Sequence, residues 1–298
     1  MDNIEYLKDL SSGATVSQSA KLYKTQDIID YNASCELSYV DIVNLTLALN
    51  ILSEFYDVYA SVLVKNNSLS GAALGVTTFD SFKKAIDCSP VDSICGVAAF
   101  SKSVDAETAK ILTPDHLIVS PDFDKEALNY FELKSIRYVK LNTSLKNYKN
   151  YLTEEVFVSP FGTVIQNKNK TELDKDTFKV VSKTKPDIEK IEDAILAWKI
   201  TKHIKSTSVV IAKDFKTLGI SQGQQSGAVE YALSKSCDNA KDAVMASDIP
   251  LTVHDLNAAI QNRISLVIQS GVAPDVLRQA DKFNIAMITT GISNYSLI

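Results

Sequence analysis

Short apolar runs alternate with helical patterns at both ends of this chain, and that alternation confines the fold to layered α/β architecture. Val40 to Phe55 repeats apolar residues at helical spacing. Ala60 to Lys65 is a β-rich run that ends in a polar stretch, Asn66 to Gly71. Thr78 to Asp87 reads as a helix, Cys95 to Phe100 as a small buried strand, and Asp105 to Leu112 as a short capped helix. His116 to Val119 and Ile136 to Leu141 read as strands. The alternation resumes with a helix from Asp187 to Lys205, a strand from Val209 to Ala212 and a polar, glycine-bearing turn. Helices at 228–236, 255–261 and 275–283 then alternate with strands at 244–246, 265–268 and 285–288. Strands this short and apolar suit a sheet covered on both faces. Residues 147–186 differ, being rich in Asn, Lys, Thr and Asp, with β-like runs only at 156–158 and 178–182. The expected organisation is two α/β units, 1–146 and 187–298, joined by an irregular connector, 147–186.

Charge and cysteine usage narrow the function classes. The 298 residues carry a net charge of −5, with 45% hydrophobic and 22% charged residues, an ordinary globular balance that points to neither nucleic acid nor an anionic membrane as partner. Arginine, the usual bidentate ligand of phosphate and carboxylate, occurs only at Arg137, Arg263 and Arg278. Cys35, Cys88, Cys95 and Cys237 form no C-x-x-C pair and lie at no zinc spacing from a histidine, so free thiols and no metal site are expected. The amino-terminal MDNIEYLKDL has no apolar core of a secretory leader, and no run of 18 apolar residues occurs. A cytoplasmic protein is the expectation.

Four polar clusters could carry chemistry. Lys65-Asn66-Asn67 follows a strand, where open α/β sheets place ligands, and Lys65 could hold an anion or polarise a carbonyl; a solvated loop lysine is the plainer alternative. Lys202, His203 and Lys205 stand at a helix end, where cations also simply suit the helix dipole. Gly219 to Gly227 could offer backbone donors to an anion, yet it fits no dinucleotide or phosphate-loop spacing. Asp248, after Ala246-Ser247, could orient a substrate amine or cap the next helix. His116, His203 and His254 are the only histidines, and no nucleophile triad can be assembled from local sequence.

Taken in order, these segments resemble the AICAR transformylase family. Glu36-Leu-Ser-Tyr-Val-Asp-Ile42 is similar to its ELSYNNI, and Ser103 to Lys110 to its LDAETA stretch. Ala197-Trp198-Lys199 through Lys205-Ser206 resembles AWKVxKxVKS. Gly219 to Ser226 resembles GIGAGQxS, and Ala246-Ser247-Asp248 the start of ASDAFFPF. Ile268-Gln269 resembles the start of IQPGG, and Ile285-Ala286-Met287 the terminal IAMxFT. The resemblance implies two tandem cytidine-deaminase-like α/β units, a dimer sharing active sites, and transfer of a formyl group from 10-formyltetrahydrofolate to the AICAR amine. It also implies that the chain starts where the transformylase starts, with the cyclohydrolase domain absent.

The departures from the family fall on its chemistry. KHxNPCG becomes Lys65-Asn66-Asn67-Ser-Leu-Ser-Gly71, which keeps the lysine and replaces the proton-accepting histidine with Asn66, a side chain that cannot titrate. The KSN asparagine is Thr207, and the arginine after GQxS is Gly227. The FFPF wall is Pro250-Leu251-Thr252-Val253, the GGSIRD loop is shortened around Ser270 to Pro274, and the terminal RHFRH is Ser293 to Leu297. Neither phosphate-binding arginine is matched. The resemblance thus marks Lys65, Asn66 and Thr207 as the catalytic positions and Ser206, Gln224, Ser226 and Asp248 as substrate contacts. The expectation is a member with lost or altered formyl transfer that binds a nucleotide or folate, or serves as a homodimer or as partner to an intact paralogue. The alternative is an active formyltransferase.

Overall fold

The computed structural model describes residues 5–15, 17–24, 27–151, 153–173, 178–223 and 227–297. The chain divides into two compact units, Met1–Thr153 and Glu154–Ile298.

The first unit opens with a two-stranded antiparallel ribbon, β1 (Glu5–Asp9) and β2 (Lys21–Lys24). Then follow β3 (Tyr31–Ala33), α1 (Tyr39–Leu52), β4 (Tyr59–Lys65), β5 (Ser68–Gly75), α2 (Thr78–Ile86), β6 (Gly96–Phe100), α3 (Ala106–Ala109), β7 (His116–Ser120), α4 (Lys125–Lys134), β8 (Arg137–Leu141) and α5 (Leu145–Tyr148). Its sheet runs β5-β4-β6-β7-β8-β3. Strands β6, β7 and β8 are parallel, and the remaining pairings are antiparallel. Leu63, Phe82, Phe100, Ile118 and Phe131 are buried in one core on this sheet. Helix α1 starts where Ser38 and Asp41 cap each other: the Ser38 hydroxyl accepts the Asp41 N–H, and the Asp41 carboxylate accepts the Ser38 N–H. Ser38→Ala should cost about 1 kcal/mol, read as a small loss of melting temperature.

The second unit begins with the antiparallel hairpin β9 (Glu154–Ser159) and β10 (Gly162–Asn167), followed by β11 (Lys179–Val180), α6 (Ile188–Thr201), β12 (Ser208–Lys213), β13 (Lys216–Gln222), α7 (Ala228–Ser236), β14 (Val244–Ser247), α8 (Val253–Gln261), β15 (Leu266–Gln269), α9 (Pro274–Lys282) and β16 (Ala286–Thr289). Its sheet runs β13-β12-β14-β15-β16-β11, with β14, β15 and β16 parallel and the rest antiparallel. Val209, Ile211, Met245, Val267 and Met287 bury one face under Leu233, Leu256 and Val276 of α7, α8 and α9.

The two units share one internal plan. α1 to β8 and α6 to β16 each run helix, hairpin, helix, then three parallel strands with a helix between each pair. Both hairpins turn on two residues with positive φ, Asn66 and Asn67 in the first and Asp214 and Phe215 in the second. Such turns match the twist of the strands they join. Each tip is pinned by a buried polar side chain of the preceding helix. Asn44 Oδ1 accepts the Asn67 N–H at 2.7 Å. The Asp193 carboxylate accepts the N–H groups of Asp214 and Phe215, at 3.0 and 2.7 Å.

Two stretches that read as polar loop or turn are strands. β5 contains Gly71 and β13 contains Gly219, and each glycine lies under the helix that follows it. A Cβ on Gly71 would stand 2.2 Å from the Ala85 carbonyl oxygen, and one on Gly219 would stand 2.0 Å from that of Ala232. Close helix packing requires glycine at these two positions, and the glycines, set among Ser and other polar residues, hide the β character of the strands. Helix α4 gives little helical signal in the sequence, because its charged segment buries only Ala127 and Phe131.

Candidate functional site

In the first unit Lys65 closes β4, half-buried, and pairs across the hairpin with Ser68. Asn66 is exposed at the tip in the left-handed region. This places an ammonium beside an amide that can donate and accept hydrogen bonds but cannot take a proton. His116 offers no substitute base. It is buried, its Nε2–H donates to the Ser93 carbonyl at 2.9 Å, its Nδ1 accepts the Thr113 N–H at 3.2 Å, and burial holds its pKa below the usual imidazole range.

The second unit gathers a polar cluster at the carboxyl edge of its parallel strands, a position where open α/β sheets bind ligands. Ser206 leaves α6 with positive φ and donates its N–H to the Ser296 carbonyl. Thr207 is buried, and its carbonyl accepts the Gly223 N–H at 3.2 Å. Asp248 follows β14 and does not cap α8, whose cap is Thr252 in a mutual bond with Asp255. Its carboxylate instead crosses to β12, where Oδ1 accepts the Ser208 N–H at 3.0 Å. Asp248 is 1% exposed and its Oδ2 has no protein partner. Burial pushes its carboxyl up to about 6, against the hydrogen bonds from Ser208 and the backbone of Asp248 and Ile249, which pull it down. One strand over, Gln269 is fully buried at the end of β15. Its Oε1 accepts the Leu251 N–H at 2.8 Å, and its Nε2 has no protein partner.

The structure therefore brings Ser206, Thr207 and Asp248 to one edge of the second unit, while Lys65 and Asn66 belong to the hairpin of the first. Gln224 and Ser226 lie outside the described residues. Sequence reasoning missed Gln269 as a site residue, although a lone amide ending the apolar run Leu266-Val-Ile was a usable signal. The grouping of possible metal ligands found among the described residues is Glu230, His254 and Asp255. His254 is largely exposed with its Nδ1 3.2 Å from Glu230 Oε1, and the Asp255 carboxylate is engaged in capping α8.

Among the described residues no helix is long and apolar enough to cross a membrane. Residues 2–235 match the family model of the AICARFT/IMPCHase bienzyme. The bifunctional purine biosynthesis protein PurH of Caldicellulosiruptor saccharolyticus is 36% identical over 310 residues, covering 98% of this chain and 60% of the relative. PurH of Persephonella marina is 32% identical, covering 99% of this chain and 59% of the relative. The chain thus spans about 60% of the length of these curated relatives. A solved RibD structure from Acinetobacter baumannii aligns over 33% of each chain at 15% identity and a TM-score of 0.25, too low to carry a fold assignment. With the family model covering most of the sequence, the chain belongs to the AICARFT/IMPCHase bienzyme family.

Proposed function

We propose that this family member, related to purine biosynthesis, has lost most or all AICAR formyl transfer and works in the cytoplasm as a binding or partner subunit. The observation that carries the reading is the hairpin tip. Lys65 is kept beside Asn66, which is exposed at the position where the family resemblance puts the proton-accepting histidine. A general base contributes roughly 10²–10⁴-fold to such a reaction. Two tandem cytidine-deaminase-like units are part of the proposal, supported by the identical strand order in the two halves and by the matched pins Asn44 and Asp193.

The partner role is supported by the β9–β10 ribbon, which holds Val156, Phe157, Val158, Phe161, Val164 and Ile165 at 50% exposure or more. An apolar ribbon of this kind is the signature of a surface that another chain covers. A second copy or an intact paralogue would fit.

The test is a folate-linked assay of the full chain with AICAR and 10-formyltetrahydrofolate, beside light scattering alone and with a co-expressed paralogue. No turnover together with a homodimer or mixed dimer is expected. Turnover abolished by Lys65→Ala would establish the active formyltransferase instead, and a monomer with no mixed dimer would remove the partner role. The active reading draws its support from Asp248, a buried carboxyl poised to exchange a proton near neutral pH.

A further inference from the structure

A cavity in the first unit is lined by none of the candidate site residues above, and its origin is geometric. Helix α1 lies on β4 and β6, while β7 and β8, the next strands out, extend past it. Successive residues of a strand alternate between faces. Ile118 and Tyr138 join the core on the far face, so Val119, Val139 and Leu141 look toward the side of α1. There the cover is the end of α5, Tyr151 and residues 27–31, which leave a hollow of about 330 Å³ over the sheet.

The fold holds these walls in place. The Asp30 N–H donates to Thr143 Oγ1 at 2.7 Å, and the Asp30 carbonyl accepts the N–H groups of Asn142 and Thr143 at 2.9 and 3.0 Å. Residues 27–31 are thereby tied to the end of β8. Lys149 Nζ donates to Glu54 Oε2 at 3.0 Å, which ties the end of α5 to the turn after α1.

The floor is apolar. Leu45, Leu49, Val119, Val139 and Leu141 are each at most 8% exposed. Protein interiors normally fill such space. Tyr148 also lines the hollow and is 5% exposed, yet its hydroxyl has no hydrogen-bond partner among the described residues. Burial raises its pKa with no hydrogen bond to oppose the shift. Buried hydroxyls are almost always bonded, so this one marks where a ligand group belongs. Water needs two or more polar partners to settle in such a space, and the floor supplies one. Thr46, exposed at the mouth, spends its hydroxyl on the Ile42 carbonyl at 2.8 Å. Asp27, also exposed there, brings the lining a carboxylate, which repels an anionic ligand.

We infer that this cavity binds a small uncharged ring compound carrying one hydrogen-bonding group, with the ring against the apolar floor and the group on the Tyr148 hydroxyl. The volume is about twice that of an apolar cavity of roughly 150 Å³ that holds one benzene. The carboxylate at the mouth sets this ligand apart from a nucleotide or a folate, and the inference is independent of formyl transfer.

Calorimetric titration of the full chain with phenol, toluene and benzoate, three compounds with the same ring, tests it. Phenol and toluene should bind saturably, and benzoate should not. Tyr148→Phe should weaken phenol about fivefold, the loss of one hydrogen bond, and leave toluene unchanged, a split that misfolding cannot mimic. Thr46→Trp, at an exposed position, should close the mouth and block both. Failure of phenol and toluene to bind the natural chain, benzoate binding as tight as phenol, or a phenol-to-toluene ratio that Tyr148→Phe does not alter would each overturn the assignment. None of these results bears on the formyl-transfer assay.

Discussion

Gly219→Ala is expected to lower the melting temperature of the second unit by about 10 °C. The added Cβ would stand 2.0 Å from the Ala232 carbonyl oxygen and 2.4 Å from Ser236 Oγ. Ser236 could swing aside, but its hydroxyl donates to that same Ala232 carbonyl at 2.9 Å, and the carbonyl is part of α7. Relief therefore requires the helix to lift off the sheet, which separates Val229, Ala232 and Leu233 from Val209 and Ile211 in the core. Overpacking of this kind costs roughly 1–3 kcal/mol, and the rigid backbone obstacle puts this case at about 3. At about 2–4 °C per kcal/mol for a unit of this size, the shift is about 10 °C. Gly71→Ala should behave alike in the first unit, since its Cβ would meet the Ala85 oxygen at 2.2 Å. Gly271→Ala is the control, because nothing lies within 4 Å of the added atom. A Gly219→Ala protein that melts like the natural chain would show that α7 does not press on β13.

The same glycines mark where the sequence was hardest to read. Parallel strands such as β7 and β15 announce themselves as apolar runs because both faces are covered. β5 does not, because Gly, Ala and Ser stand where β-branched residues would signal a strand, and β13 does not, because Gly219 and Ser221 interrupt Leu218 and Ile220 between polar ends. The two-residue hairpins were legible in principle, as Asn-Asn favours the left-handed region, but Asp214-Phe215 carries only half of that signal. The helix caps were plainer: Ser38 with Asp41 and Thr252 with Asp255 each have the three-residue spacing of a capping box. The candidate site was legible where side-chain identity decided it, at Lys65 and Asn66. It was hidden where pairing across the sheet decided it. Asp248 looks like a helix cap from its neighbours, and only the β12–β14 register brings it to Ser208.

Asp248→Asn is expected to stabilise the protein at pH 8 by about 2 kcal/mol, with no gain at pH 4. The folded carboxyl is pushed up to about 6 from a reference of 3.8, chiefly by burial. Between those values the folded chain keeps a proton that the unfolded chain has lost. Stability from this group is therefore complete below about pH 4, falls as pH rises through 6, and stays low above it. A two-unit shift is worth about 3 kcal/mol at roughly 1.4 per unit, and the asparagine recovers most of this because it can keep Oδ1 on the Ser208 N–H without carrying charge. Chemical denaturation of both proteins across pH 4 to 8 measures the difference directly. A carboxylate kept at such a cost in a fully buried strand end, beside Gln269 with its own unsatisfied amide, is more than packing demands. Should Asp248→Asn prove less stable than the natural chain at pH 8, the donors around the carboxylate outweigh its burial. The group would then be an ordinary structural anchor, and the active-enzyme alternative would lose the residue that favours it.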